Sequence, residues 1–128
     1  MPITPASRLV AQAKAEITTL SIDETRSILR EGRARLVDIR DIRELDRAGR
    51  IDGALHAPRG MLEFWIDPQS PYHRPELATG GTLVLFCAAA ARSALAVKTL
   101  QDMGVENAVE MDGGFKGWAA AGHPILRD

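Results

Sequence analysis

Short runs of aliphatic and β-branched residues alternate along this chain with stretches whose apolar positions recur every three or four residues. Arg35-Leu36-Val37-Asp38-Ile39, Thr82-Leu83-Val84-Leu85-Phe86 and Ala108 to Met111 read as strands, and Ala54 to Ala57 as a shorter one. Between them lie helical patterns. Leu9, Val10, Ala13, Ile17 and Leu20 keep near-helical spacing after Pro5 and Ser7, which predicts an N-terminal helix docked on the body. Ser21 and Glu24 form a Ser-x-x-Glu capping box, and Gly32 is a natural stop, so Ile22 to Glu31 is predicted helical. Asp41 to Ala48 is closed by Gly49, Gly60 to Ile66 by Asp67-Pro68, and Ala94 to Met103 by Gly104. A last helix bearing Phe115 and Trp118 follows Asp112-Gly113-Gly114 and ends at Gly122 and Pro124. Strand and helix alternate, so the fold class is α/β: a small parallel sheet with helices on both faces. In such sheets ligands bind at the carboxyl ends of the strands, where Asp38, Cys87 and Asp112-Gly113-Gly114 fall.

Size and charge narrow the possibilities. At 128 residues with 45% apolar content, one domain with a real core is expected. Sixteen basic and 17 acidic residues leave a formal charge of -1, so no global field gathers nucleic acid or an anionic membrane surface. No apolar run approaches the roughly 20 residues that span a bilayer. Arg8, Lys14 and Glu16 interrupt the first segment, which does not read as a secretion signal or a targeting helix. A single cysteine forms no internal disulfide, and a cytoplasmic location fits best.

That cysteine, Cys87, stands where the central strand ends and a helix opens at Arg92-Ser93. The four residues between Cys87 and Arg92 are Ala88, Ala89, Ala90 and Ala91. If this segment curls, successive N–H groups converge on the sulfur as an anion nest closed by Arg92, and the thiolate is stabilised. Two plainer readings compete: a buried structural thiol, and an early helix start through the alanines.

The ordered motifs resemble a single-domain rhodanese: Val37-Asp38-Ile39-Arg40, Glu44-Leu45, Gly49-Arg50-Ile51-Asp52-Gly53-Ala54, Pro58, Leu83 to Cys87 with Arg92-Ser93, Gly113-Gly114-Phe115-x-x-Trp118 and Gly122-x-Pro124. The resemblance spans roughly residues 17 to 126 and divides the chain into an N-terminal helical extension, 1–16, and a rhodanese-like domain, 17–128. It implies a sulfurtransferase in which Cys87 takes the sulfane sulfur of thiosulfate or a persulfide and passes it to a thiol, to cyanide, or to a carrier protein. The family usually has glycine where this chain has Ala90. A left-handed backbone there would strain alanine, and the loop is expected to curl less tightly, with activity reduced accordingly. Arg50 replaces a common histidine at a position that reads as structural.

The expected site is Cys87 as nucleophile, with the loop Ala88 to Ala91, Arg92 and Ser93 around the substrate and Arg59, after Pro58, as a second cation for a dianion. Asp38 and Arg40 read as ties between the strand end and its neighbours. Met61, Leu62, Phe64, Trp65, Phe115 and Trp118 read as core. His56, His73 and His123 are dispersed, so neither a metal nor another cofactor is expected. Two alternatives stand beside sulfur transfer. One is a non-catalytic binding or sulfur-sensing module. The other is a cysteine phosphatase or arsenate reductase, whose related loops have five residues between cysteine and arginine where this chain has four.

Overall fold

The alternation is realised as a single sheet in the computed structural model, which describes residues 2–127. Strands β1 (Thr19–Leu20), β2 (Ala34–Asp38), β3 (Leu55–His56), β4 (Thr82–Phe86) and β5 (Ala108–Met111) all run parallel, in the order β1-β5-β4-β2-β3. Helices α2 (Ile22–Arg30), α3 (Ile42–Ala48), α4 (Leu62–Ile66) and α5 (Arg92–Asp102) lie in the connections between strands, with α1 (Ala6–Glu16) before β1 and α6 (Gly114–Ala120) after β5.

The unbroken apolar run of β4 follows from its central place. Leu83 and Leu85 enter a cluster with Val97 and Leu100 of α5 and with Leu62, while Val84 and Phe86 enter a second one with Met111, Phe115 and Trp118. A strand covered on both faces has no solvent side to carry polar residues. The ends of the elements obey local chemistry. The Ser21–Glu24 capping box is present, and Asp41 with Glu44 forms another at the start of α3. Gly49 closes α3 at φ 99, where a Cβ would stand 2.7 Å from the Leu126 carbonyl oxygen.

Three features depart from the pattern reading. β1 is absent from the pattern reading, which places Leu20 in helical spacing: Thr19 and Leu20 pair with Glu110 and Met111, so the segment after α1 joins the sheet. The Gly60 to Ile66 pattern splits into a 3-10 turn at Arg59–Met61 and the short α4. Within it Leu62 is fully buried, whereas Phe64 is 52% exposed and meets Tyr72 edge to face, a correction to its assignment as core.

Helix α1 packs along α5, and Lys14 reaches over the sheet to bond Glu110 at 2.6 Å. Glu110 is fully buried, and burial holds its carboxyl above the ordinary value against the pull of Lys14. Met1 and Asp128, the outer ends of the two segments expected from the sequence, lie outside the described residues. No helix among the described residues is long and apolar enough to cross a membrane.

Candidate active site

Cys87 directly follows the last residue of the central strand, and α5 begins at Arg92, so residues 88–91 form an irregular turn and not an early start of the helix. Two backbone features shape this turn. Ala90 takes φ 87, the left-handed region that an alanine enters at a cost. From below, the loop is anchored by its carbonyls: Phe115 N–H donates to the Cys87 oxygen at 2.8 Å and Lys116 N–H to the Ala88 oxygen at 3.0 Å. Gly114 makes that approach feasible. It sits at φ 59, and a Cβ there would lie 2.5 Å from the Cys87 oxygen and 2.8 Å from the Ala88 oxygen. With the carbonyls drawn toward α6, the N–H groups face the other way, and Ala90 N–H donates to Cys87 Sγ at 3.1 Å.

Cys87 is 1% exposed and belongs to the buried apolar cluster, yet its sulfur is surrounded by donors. Ser93, fully buried on the first turn of α5, holds its Oγ 3.6 Å from Sγ. Burial opposes ionisation of the thiol. The Ser93 hydroxyl and the N–H groups of Ser93, Ala89 and Ala90 outweigh it and bring the pKa below the ordinary 9.0. The expected looser curl is therefore absent: the alanine loop closes on its sulfur through a left-handed Ala90.

Arg92 is held by a carboxylate. Its two terminal nitrogens donate to Glu44 Oε1 at 2.7 Å and Oε2 at 2.9 Å, a fork-to-fork pair between the start of α5 and the first turn of α3. The guanidinium pulls the Glu44 carboxyl from 4.5 to about 2, and the Cys87 sulfur adds to the rise in the Arg92 pKa. A concavity of about 340 Å3 beside this pair is lined by Asp41, Arg43, Glu44 and Arg47.

The remaining candidates are placed as follows. Ala88 is half-buried, Ala89 and Ala91 are exposed, and Ala90 is buried. Arg59 spends its donors on Glu63 Oε1 at 2.7 Å and Thr99 Oγ1 at 3.5 Å rather than on the loop. Asp38 and Arg40 are each 1% exposed and bond one another. Asp112 is exposed and borders a concavity of about 310 Å3 with Ser21 and His123. His56 bonds the Arg40 carbonyl at 2.7 Å, His73 bonds the Trp65 carbonyl at 2.9 Å, and His123 meets the Trp118 ring edge-on. Sequence reasoning assigned no site role to Glu44 or Lys116. The first entered only through the Glu44-Leu45 motif of the family resemblance, and the second falls at an unspecified position between Phe115 and Trp118.

The chain is similar in sequence and in fold to known proteins. The family described as the rhodanese-like domain matches residues 21–121. The human thiosulfate:glutathione sulfurtransferase is 36% identical over 107 residues, covering 78% of this chain and 91% of its own length. The solved structure of a human single-domain sulfurtransferase superposes with a TM-score of 0.67 at 31% identity over 80% of this chain and 95% of that one. A Rhodopseudomonas palustris protein of unknown function, described as a possible tyrosine phosphatase, superposes with a TM-score of 0.90 at 43% identity over 98% of this chain and 99% of that one. A probable adenylyltransferase/sulfurtransferase of Mycobacterium tuberculosis is 34% identical over 91% of this chain, which spans only 28% of that protein.

Proposed function

The chain belongs to the rhodanese family, and from that premise we propose that it is a sulfurtransferase whose Cys87 thiolate carries sulfane sulfur as a persulfide. The observation that carries the reading is the Cys87 sulfur at the end of the central strand, with the Ala90 N–H donating to it and its pKa lowered by the surrounding donors. A thiol whose anion is favoured in this way attacks the outer sulfur of thiosulfate or of a low-molecular-weight persulfide. With thiosulfate a new sulfur–sulfur bond forms to Cys87 as the old one breaks, and sulfite leaves with the bonding pair. The persulfide anion left on Cys87 meets the same N–H groups, and Arg92, steadied by Glu44, closes the ring around it. A thiol, cyanide or a carrier protein then takes the terminal sulfur and regenerates the thiolate.

Ala88 and Ala89 offer a donor no side-chain hydrogen bond, so recognition falls to main-chain N–H groups and to cations beyond the loop. A phosphatase reading is supported by the description of the Rhodopseudomonas palustris neighbour. Against it stands the loop itself, with four residues between Cys87 and Arg92, a tighter ring than a phosphate needs. Intact-mass measurement after thiosulfate treatment separates the two. Sulfur transfer adds about 32 Da, and the gain disappears in Cys87→Ser. An unmodified protein that instead releases phosphate from an aryl phosphate sinks the sulfurtransferase reading.

A further inference from the structure

Arg40, Arg59 and Arg92 each bond a carboxylate at 2.7 Å. Arg26 and Arg30 differ: neither has a hydrogen bond or an ion pair among the described residues. They stand four residues apart on α2, so they share one face of that helix, and both line a single concavity of about 290 Å3.

The rest of this concavity is mostly hydrocarbon. Leu29 is half-buried and Pro124 exposed, while Ile51 and Trp118 close the bottom at 4% and 5% exposure. Trp118 is fixed in place, because its indole Nε1 donates to the Pro124 carbonyl at 2.8 Å. One carboxylate, Asp52, completes the lining, and it is within ion-pair distance of neither arginine. Two guanidiniums against one carboxylate leave the rim with an excess of positive charge. Leu29, Ile51 and Trp118 belong to the apolar cluster on one face of the sheet, and Cys87 belongs to the cluster on the other, so this is not the sulfur site.

Such a lining suits an organic anion. A carboxylate accepts from guanidinium forks in a bidentate geometry, and an apolar body beside it displaces water from Leu29 and Pro124. The opposing charge of Asp52 favours a monoanion over phosphate or thiosulfate, and the volume admits a phenyl ring or a branched chain of about five carbons. We propose that the concavity between α2 and α6 binds a small monocarboxylic acid with an aromatic or branched aliphatic body, its carboxylate held by Arg26 and Arg30 and its body laid against Leu29, Pro124 and Trp118. The site stands apart from sulfur transfer and does not depend on persulfide formation at Cys87.

The test is a titration of the full chain with phenylacetate at low salt, followed by NMR of isotopically labelled protein. The chain has two tryptophans, and Trp65→Phe identifies the indole signal of Trp118. That signal shifts saturably with a Kd of about 1 mM or tighter, whereas neutral phenylacetamide and inorganic phosphate barely move it at the same concentration. Arg26→Gln and Arg30→Gln, which keep the helix preference, each weaken phenylacetate binding about fivefold or more, and added salt weakens binding to the wild type. Asp52→Asn removes the opposing charge and tightens binding about twofold. A static Trp118 signal, equal binding of phenylacetamide, or an affinity indifferent to both arginine substitutions overturns the inference. So does a phenylacetate response centred on the amides of residues 88–93, which would put the anion at the sulfur site. Intact mass after thiosulfate treatment reads the transfer chemistry separately, and a protein that acquires no persulfide but binds phenylacetate beside Trp118 keeps this site.

Discussion

The carboxyl ends of β2 and β4 lie side by side, with Asp38 in register with Phe86, yet they are held in opposite ways. After β2 the chain is locked by side chains. Arg40 is 1% exposed, donates to both Asp38 oxygens and to the Gly49 carbonyl at 2.9 Å, and lies 4.0 Å over the Phe115 ring. Arg40 Nε and Nη2 are both spent within the protein, on Asp38 and Gly49. After β4 the side chains are methyl groups, and the main chain does the work: carbonyls face α6, and amides face the sulfur. A polar knot satisfied by its own members gives rigidity. A loop whose amides converge on one atom leaves that atom reactive, and the knot beside it keeps the frame still.

Removing Arg40 tests the first half of this comparison and has the largest expected effect. Arg40→Leu leaves the Asp38 carboxylate buried without its cation, which costs about 3–5 kcal/mol. Urea unfolding reads the loss as a lower midpoint at unchanged slope. A midpoint equal to wild type would mean that Asp38 finds water or another donor, and that the knot is dispensable. Gly114→Ala tests the second half. Its Cβ would collide with the Cys87 and Ala88 oxygens, and alanine at φ 59 is strained besides, so about 2 kcal/mol of stability is lost. The carbonyls then move off α6, the amides turn away from the sulfur, and Cys87 alkylates with a higher apparent pKa. An unshifted alkylation profile in a folded Gly114→Ala protein would show that the α6 anchor does not aim the loop.

The two regions were unequally legible in the sequence. Capping boxes, glycine stops and the apolar run of β4 are local signals, and Ser21, Gly49 and Thr82 to Phe86 fall where those signals put them. The Cys87 loop was legible through its spacing to Arg92 and the motifs around it. β1 was not, because a two-residue strand carries no alternation and exists only through its pairing with β5. Glu44 and Arg92 are 48 residues apart and on different helices, so no periodicity links them. That Arg26 and Arg30 find no ion-pair partner among the described residues is invisible for a related reason: it depends on which other charges have found partners, a property of the assembled surface and not of any segment.

Ala90 carries the smallest expected effect and the sharpest distinction between geometry and strain. From the sequence, alanine in place of glycine is expected to loosen the loop and slow the enzyme. In the structure Ala90 takes φ 87 and still places its N–H 3.1 Å from the sulfur, so the cost is borne as strain and the donor geometry is kept. Ala90→Gly removes a left-handed penalty of about 1–2 kcal/mol and adds back roughly 0.5–1 kcal/mol of backbone freedom in the unfolded chain. A net gain of about 0.5–1 kcal/mol in the unfolding free energy follows, with turnover of thiosulfate within about twofold of wild type. A large rise in turnover at unchanged stability would reverse the assignment, placing the effect of Ala90 on the chemistry at the sulfur instead of on the frame that holds it.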